Sequence, residues 1–257
     1  MTGFLTLLEK EIRRFMKVLV QTVVTPFISS FLYLLVFGVS LGASVPGQDG
    51  VSYLAFLIPG LVMMALMNNA FQNSSSSIVS SKFSGDIEDL RVVPLSENEI
   101  IWAFALGGLV RGFFVGTVTF MVGQIFHYLQ IGTWLGVVHP FALMYFVIVG
   151  GLLFGLLGIF VAFWAGSFEH LSAFSSFVLL PLTYLGGVFL SIEHLSPFWQ
   201  GVSKLNPLLY LINGLRYGML GVSDVGLGES MAISFVGLIV FYLLARLGLR
   251  RGSFQRW

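Results

Sequence analysis

The residues that could do chemistry are few and are spread widely along the chain. None of the four lysines lies in a GxxxxGK[ST] pattern, so the sequence has no phosphate-cradling loop of its own. No GxSxG or HExxH pattern occurs, cysteine is absent, and the four histidines are scattered near the ends of apolar stretches. We therefore expect this chain to contain no catalytic residue and no metal site, and to bind no cofactor itself.

The composition is that of a membrane protein. Of the 257 residues, 56% are hydrophobic and 10% are charged, and the mean hydropathy is +0.92. Soluble domains carry about 25% charged residues, so a soluble globular domain is excluded. The net charge of +1 gives no indication of a nucleic-acid partner. The 30 glycines are typical of closely packed membrane helices.

Six apolar stretches are long enough to cross a bilayer, and they predict a single all-α integral membrane domain over 1–257. An amphipathic, basic stretch over 1–20 precedes them and is typical of a helix that lies in the membrane interface. The segment 191–230 contains apolar pieces of about ten residues or fewer, a length typical of re-entrant or interfacial helices. The predicted spans are 22–41, 53–73, 100–127, 140–165, 171–190 and 231–247.

Basic residues are distributed unequally between the predicted loops. With the N-terminus in the cytoplasm, Lys204 and Arg216 would lie outside, near the level of the headgroups, and Arg111 would lie within a span. The positive-inside rule then predicts that both termini are cytoplasmic. This arrangement puts ten of the thirteen Lys and Arg residues inside: Lys10, Arg13, Arg14, Lys17, Lys82, Arg91, Arg246, Arg250, Arg251 and Arg256.

A charged interval over 82–98 separates two apolar stretches. Phe83, Ile87 and Leu90 recur at three- to four-residue spacing with acidic residues between them, which predicts a short amphipathic helix. Such a helix is suited to a groove on a soluble partner. The alternative is an ordinary solvated loop. The interval also carries a helix-ending proline and the capping pair that starts the next helix: Pro94, Ser96 and Glu99.

Two polar features lie inside the predicted spans. Arg111 is about a dozen residues into the third span, and a charge at that depth must face protein or water. It is either a structural arginine, bonded to helix carbonyls or to the Asn-rich part of span two, or a contact for an anionic headgroup such as a phosphate. The Asn-rich part either lines a substrate path or joins span two to its neighbours by side-chain hydrogen bonds. Its residues of interest are Asn69, Gln72 and Asn73.

Three segments give the chain a family resemblance. They are EKEIRRFMK before the first span, GDIEDLRVVPLSENEI over 85–100, and the region 197–221 with its LNP and GLRYG sequences. In this order on six spans, they resemble the permease subunits of ABC-2 type exporters, and the resemblance covers nearly the whole chain. The first is similar to the family's interfacial elbow helix, the second to its coupling helix, and the third to its extracellular hairpin of short helices.

The resemblance implies a complex of two permeases, expected to be two copies of this chain, with two separate ATPase subunits that bind ATP and Mg²⁺. It also implies a multi-pass protein of the bacterial inner membrane that contacts lipids and no nucleic acid. The extracellular hairpin is then expected to include Asn206, Pro207, Arg216 and Tyr217. Contact with the ATPase is expected from Phe83, Gly85, Asp86, Ile87, Glu88, Asp89, Leu90, Arg91 and Pro94.

The predicted function is that of a permease subunit without its own nucleotide-binding site. It would move an amphiphilic, lipid-linked or drug-like substrate out of the cytoplasm or inner leaflet by alternating access. One alternative is an ion-driven transporter or channel, which requires acids within spans, whereas all twelve acids lie in loops or at span ends. The other alternative is a membrane scaffold that recruits a cytosolic partner. The sequence does not select among substrates.

Overall fold

The computed structural model describes residues 2–42, 50–88 and 94–251. Within these ranges every regular element is helical, which confirms the predicted all-α class. Two π-helical turns, Leu34–Leu41 and Ser175–Leu179, and two 3-10 turns, Asp86–Glu88 and Ile192–His194, accompany the α-helices. The α-helices are α1 (Thr2–Met16), α2 (Leu19–Tyr33), α3 (Tyr53–Ser84), α4 (Glu97–Ile131), α5 (Pro140–Trp164), α6 (Phe168–Phe174), α7 (Leu180–Leu185), α8 (Pro197–Lys204), α9 (Pro207–Leu220) and α10 (Leu227–Arg251).

The central helix of the bundle is α3, which packs against α4, α5 and α9. Glycines allow the neighbouring backbones to come close. A Cβ added to Gly112 of α4 would lie 2.5 Å from the carbonyl oxygen of Leu66, and one added to Gly158 of α5 would lie 2.6 Å from that of Phe71. The predicted use of glycine for close helix packing is therefore confirmed.

Five of the six predicted spans are helices long and apolar enough to cross a membrane: α2 with its π turn, α3, α4, α5 and α10. The remaining prediction, 171–190, is not one continuous α-helix. It is a run from Phe168 to Leu185 in which a π turn separates α6 from α7. Pro181 lies in the first turn of α7 and has no N–H to donate, so the regular ladder of hydrogen bonds is interrupted in this region.

Several boundaries differ from the sequence-based prediction, and the clearest cases are the second span, the last span and the segment 191–230. The polar half of span two stays helical as far as Ser84, where Gly85 ends the helix in a left-handed conformation with a φ of 87°. The last span is longer at both ends than 231–247. Within 191–230, α8 and α9 are the predicted short helices, but α9 has 14 residues and is almost wholly buried, because it packs against α3, α5 and α10.

The bundle has two distinct ends. At the first, which we call the charged end, Gly3 of α1 packs against Leu95, and Glu97 of α4 forms ion pairs with two arginines of α10. At the opposite end, which we call the hairpin end, the His139 N–H donates to the Gly218 carbonyl at 2.8 Å. The N-terminus of α1 and the C-terminus of α10 therefore both lie at the charged end.

Candidate functional site

A polar cavity of about 320 Å³ lies between α2, α3 and α4. One wall is formed by α2 over Gln21 to Tyr33, which extends about 18 Å at 1.5 Å per residue. The lining includes three of the four predicted path residues, Asn69, Gln72 and Arg111. The other lining residues are Gln21, Thr22, Thr25, Pro26, Ser29, Ser30, Tyr33, Leu61, Met64, Ala65 and Asn68.

Some polar groups of α2 in the cavity wall have no hydrogen-bond partner among the described residues. The Thr22 hydroxyl is buried and has no hydrogen-bond partner among the described residues. Pro26 has no N–H to donate to the carbonyl four residues before it. By contrast, the Ser30 hydroxyl donates to Thr119 of α4 at 3.1 Å and fixes one edge of the cavity. The wall therefore presents both donors and acceptors to whatever fills the cavity.

Arg111 supplies the positive charge of the cavity. Its Nε is buried and has no hydrogen-bond partner within the described ranges. It lines the same cavity as Asn68, Asn69 and Gln72 of α3. The Asn69 amide donates to the Ala65 carbonyl of its own helix at 3.0 Å. A charge at this depth costs about 3 kcal/mol on insertion scales. Among the described residues, Arg111 forms no ion pair that would offset this cost.

Asn73 faces α1 and is not part of the cavity, although the sequence groups it with Asn69. Arg14 donates to the Asn73 carbonyl at 2.6 Å and to its side-chain oxygen at 3.2 Å. Glu11 lies 3.6 Å from the Arg14 Nε and accepts a hydrogen bond from Ser77 at 2.7 Å. Burial raises the pKa of Glu11 above its ordinary value, against the opposing effects of Arg14 and Ser77. This part of the polar face joins α1 to α3.

The predicted coupling segment is not one amphipathic helix in its described part. α3 ends at Ser84, and after Gly85 the chain forms the 3-10 turn Asp86–Glu88. Phe83 is 68% exposed, whereas Ile87 is fully buried against the main hydrophobic core. The prediction that these two side chains share an apolar face is therefore wrong, because the left-handed glycine changes the direction of the chain between them. The predicted contacts Asp89, Leu90 and Arg91 lie outside the described residues.

Lys82 is the first residue of the charged interval, yet its side chain is fully buried. Its Nζ donates to the carbonyls of Ala162, Phe163 and Ala165 at 2.8, 3.1 and 3.3 Å. These carbonyls lie at the C-terminal end of α5, where helix carbonyls lack intrahelical partners and a cation is favoured. Lys82 therefore joins the last turn of α3 to the end of α5.

α4 begins with the predicted capping box. The Glu99 N–H donates to the Ser96 hydroxyl at 3.3 Å, and the Ser96 N–H donates to the Glu99 carboxylate at 2.8 Å. Pro94, two residues before Ser96, is exposed. Glu97, which follows Ser96, pairs with two arginines of α10 at 3.1 and 2.9 Å. The described part of the coupling segment is thus attached to α5 on one side and to α10 on the other.

Three predicted hairpin residues, Asn206, Pro207 and Tyr217, lie at the ends of α9. The Asn206 side chain accepts a backbone N–H of the first turn and donates to the Leu182 carbonyl at 2.6 Å. Pro207 occupies the first helical position, where its missing N–H leaves no bond unmade. At the other end of the helix, Tyr217 stacks on His139 with 4.5 Å between the ring centroids. These contacts hold α9 between α7 and the loop that precedes α5.

Arg216 lies at the hairpin end and is completely buried by protein, so it is not exposed to lipid headgroups within the described structure. Its Nη1 donates to the side chain of Asn213 at 3.1 Å, and its Nη2 donates to the Gly187 carbonyl at 2.7 Å. The guanidinium also lies 3.7 Å from the centroid of the Phe56 ring. The side chain is enclosed because α9 packs inside the bundle against α3, α5 and α10.

The polar wall of α2 was missed in the sequence. Thr22, Thr25 and Ser29 are three and four residues apart, so they follow one face of a helix. That spacing was visible in the sequence, but the stretch was interpreted only as a span. The burial of Lys82 and Glu11, in contrast, has no sequence signal, since both belong to stretches rich in charged residues.

Comparison with known proteins identifies the family. The model of the ABC-2 type transporter family matches residues 2–220. The chain belongs to this family. It is 40% identical over 243 residues to the inner membrane transport permease YadH of Escherichia coli K12, covering 95% of this chain and 93% of that relative. It is also 25% identical over 224 residues to nodulation protein J of Rhizobium leguminosarum bv. viciae, covering 86% and 83% respectively.

As an ABC-2 permease, the matched domain is a transport subunit without a nucleotide-binding domain. Membership of the family implies that an ATPase partner supplies the energy. The matched range contains α1 to α9. It therefore includes all three helices that line the cavity, the described part of the coupling segment and both short helices of the hairpin.

Proposed function

We propose that this permease forms the membrane part of an ATP-driven exporter in the bacterial inner membrane. It moves an amphiphilic, lipid-linked or drug-like substrate out of the cytoplasm or the inner leaflet. The observation that carries the proposal is the polar cavity, in which three membrane-spanning helices surround one arginine with uncharged polar groups. A scaffold has no need for an unpaired cation inside the bilayer, which is costly to keep there. Similarity to the inner membrane permease YadH supports the location.

The charged end faces the cytoplasm in this proposal. Its surplus of basic residues agrees with the positive-inside rule. The run from α6 to α7 starts next to Ala165 at the charged end and ends next to Gly187 at the hairpin end, so it serves as a sixth crossing and keeps both termini on one side. The described basic residues at the charged end are Lys10, Arg13, Arg14, Lys17, Lys82, Arg246, Arg250 and Arg251, against Lys204 and Arg216 at the hairpin end.

The segment between α3 and α4 is the contact with the ATPase. Phe83 and Asp86 are exposed there and are available to a partner. Lys82 and Glu97 flank the segment and connect it to α5 and α10. A displacement applied by the ATPase would therefore reach α3, α4, α5 and α10 together. ATP and Mg²⁺ bind to the ATPase, of which two copies serve two copies of this permease.

Alternating access requires helices that can bend. The first and fifth predicted spans both contain a π-helical turn, Leu34–Leu41 and Ser175–Leu179, and each also contains a proline, Pro26 or Pro181. Turns of this kind are frequent at functional sites, and prolines are common places for a helix to bend. In the proposed cycle these two spans move relative to α3, α4 and α5. The cavity then opens alternately to the two sides.

The test is to reconstitute the permease with its ATPase in proteoliposomes, and to measure ATP hydrolysis and export together. Phe83→Asp should uncouple the two, because it places a charge on the exposed apolar contact at the charged end. The matched control is Phe198→Asp, since Phe198 is 70% exposed but lies at the hairpin end. Both variants should insert in the membrane in wild-type amounts.

Normal coupling in Phe83→Asp would contradict the proposed ATPase contact. Transport that follows a proton or sodium gradient without ATP would favour the ion-driven alternative. That alternative already lacks support, because the acids in the described spans lie only in the first turns of α4, α6 and α10: Glu97, Glu99, Glu169 and Glu229. ATPase recruitment with no export of any amphiphile would favour the scaffold.

A further inference from the structure

We propose that the cavity between α2, α3 and α4 binds the anionic headgroup of an amphiphile, phosphate or carboxylate in type, and that Arg111 pairs with the anion. The identification of this amphiphile with the transported molecule rests on the proposed function. The binding site itself does not.

The charge of the cavity is positive. Arg111 lines it and takes part in none of the described ion pairs, and its buried Nε lacks a partner among the described residues. Among the described groups, the charge that acts on Arg111 is Arg14, which is itself a cation. No carboxylate is among the described residues that line the cavity. A cationic ligand would therefore be repelled, and an anion would supply the missing partner of the guanidinium.

The rest of the wall suits the uncharged oxygens of a headgroup. Thr25 and Ser29 of α2 and Asn68 of α3 present hydroxyl and amide groups to the same space. The Thr22 hydroxyl is almost completely buried in this wall without a hydrogen-bond partner in the described structure. A polar group buried in this way is costly unless water or a ligand bonds to it. Phosphate esters and sugar hydroxyls both provide such bonds.

The position of the cavity favours an amphiphile over a free anion. Arg111 lies about 21 Å along α4 from Glu97, at 1.5 Å per residue, and is close enough to Arg14 of α1 to be affected by its charge. The cavity therefore lies near α1, which the sequence predicts to lie in the membrane interface, where an amphiphile has its headgroup. Leu61, Met64 and Ala65 form an apolar part of the same wall. On the outer side of α2, next to the cavity, apolar side chains such as Ile28 are exposed. An acyl or prenyl chain can follow this surface while its headgroup occupies the cavity.

The test is direct binding to purified permease in phosphatidylcholine nanodiscs, with no ATPase present. The probes are dioctanoyl phosphatidic acid, dioctanoyl phosphatidylcholine and inorganic phosphate. We expect phosphatidic acid to bind more tightly than either of the others. Arg111→Gln should weaken phosphatidic acid binding about 10- to 100-fold, which is the effect of losing a charge-assisted pair of hydrogen bonds. Arg111→Lys should recover part of the affinity, because it keeps the charge but not the fork.

The matched control is Lys204→Gln, which removes one exposed cation at the hairpin end and should leave the affinity unchanged. Equal binding by wild type and Arg111→Gln would overturn the site, as would inorganic phosphate binding as tightly as phosphatidic acid. Elution of Arg111→Gln at the wild-type volume in size-exclusion chromatography would show that this variant is folded. Partial recovery of the affinity in Arg111→Lys provides a second measure. Arg111-dependent binding without ATP-dependent export would contradict the exporter and keep the site. Export that is independent of Arg111, together with binding that depends on it, would keep the site and contradict the identification of the bound amphiphile with the transported molecule.

Discussion

Arg216 and Arg111 both lie inside the helix bundle, but they are held in opposite ways. Arg216 is enclosed at the hairpin end by two hydrogen bonds and an aromatic ring, although its Nε, like that of Arg111, has no partner among the described residues. Arg111 faces a cavity and takes part in no described ion pair. Burial of the charge is therefore not the feature that distinguishes a structural arginine from a binding one. The distinguishing feature is whether the surrounding protein already supplies the partners.

The largest effect on the free energy of unfolding is expected at Arg216. Arg216→Gln should lower the free energy of unfolding by about 3 kcal/mol, because it removes a charged hydrogen bond to Gly187 and the contact with the ring of Phe56. The measurement is chemical or thermal unfolding in detergent. Arg216→Lys keeps the charge but loses the planar fork. Its free energy of unfolding should lie between those of the wild type and Arg216→Gln. Wild-type stability in Arg216→Gln would remove the structural half of the comparison.

Lys82 provides a second structural cation, at the charged end. Lys82→Met should cost about 2 kcal/mol, since three carbonyls at the end of α5 lose their donor while the apolar part of the side chain is retained. Ser80→Met is the matched control because Ser80 is exposed on the same helix, and its effect should stay within about 0.5 kcal/mol. If the two variants unfold alike, the contact between α3 and α5 does not depend on Lys82.

Glu11 is a buried acidic residue that can be compared with the buried cations. Its pKa is raised in the folded state by burial, above an ordinary value of 4.5. Its contribution to stability is therefore fully present below pH 4.5 and is lost as the pH rises through the folded pKa. The unfolding free energy should fall across that window by at most about 1.4 kcal/mol per pH unit. Glu11→Gln should remove this slope. The opposite slope would show that the ion pair with Arg14 outweighs burial.

The smallest effect on stability is expected at Arg111. Arg111→Gln should leave the free energy of unfolding unchanged or raise it, within about 1 kcal/mol, because an unpaired cation inside the bilayer is removed. The same unfolding experiment as for Arg216→Gln gives a direct contrast between the two residues. A loss near that of Arg216→Gln would mean that the protein depends on Arg111 for packing, and the cavity would lose its functional interpretation.

Periodicity and charge were enough to predict several features from the sequence. Long apolar runs identify membrane helices because a helix that crosses a bilayer needs about 20 apolar residues whatever its neighbours are. The capping box of Ser96 and Glu99 was also predictable, since both partners lie three residues apart on one chain. The family resemblance, carried by three local segments, was confirmed by the match over residues 2–220. All of these features depend on residues close together in the chain.

Periodicity and charge did not reveal three other features, one set by the packing of distant helices and two by local backbone conformation. Asn69 and Asn73 are one helical turn apart, yet one borders a cavity and the other bonds to Arg14, because α1 lies against only one of them. Phe83 and Ile87 were separated by the left-handed Gly85, whose conformation a helical pattern does not reveal. The predicted fifth span was interrupted near Pro181, where the run of regular hydrogen bonds gives way to a π turn.

By itself, the sequence determined that this protein is a bundle of membrane helices whose basic residues collect at one end, and that it belongs with the ABC-2 permeases. The tertiary structure decided which of its polar groups are used up in holding the bundle together and which remain open to a ligand. The physical reason is that a polar side chain in an apolar medium must find a partner, and only the packing of distant helices decides whether that partner is protein.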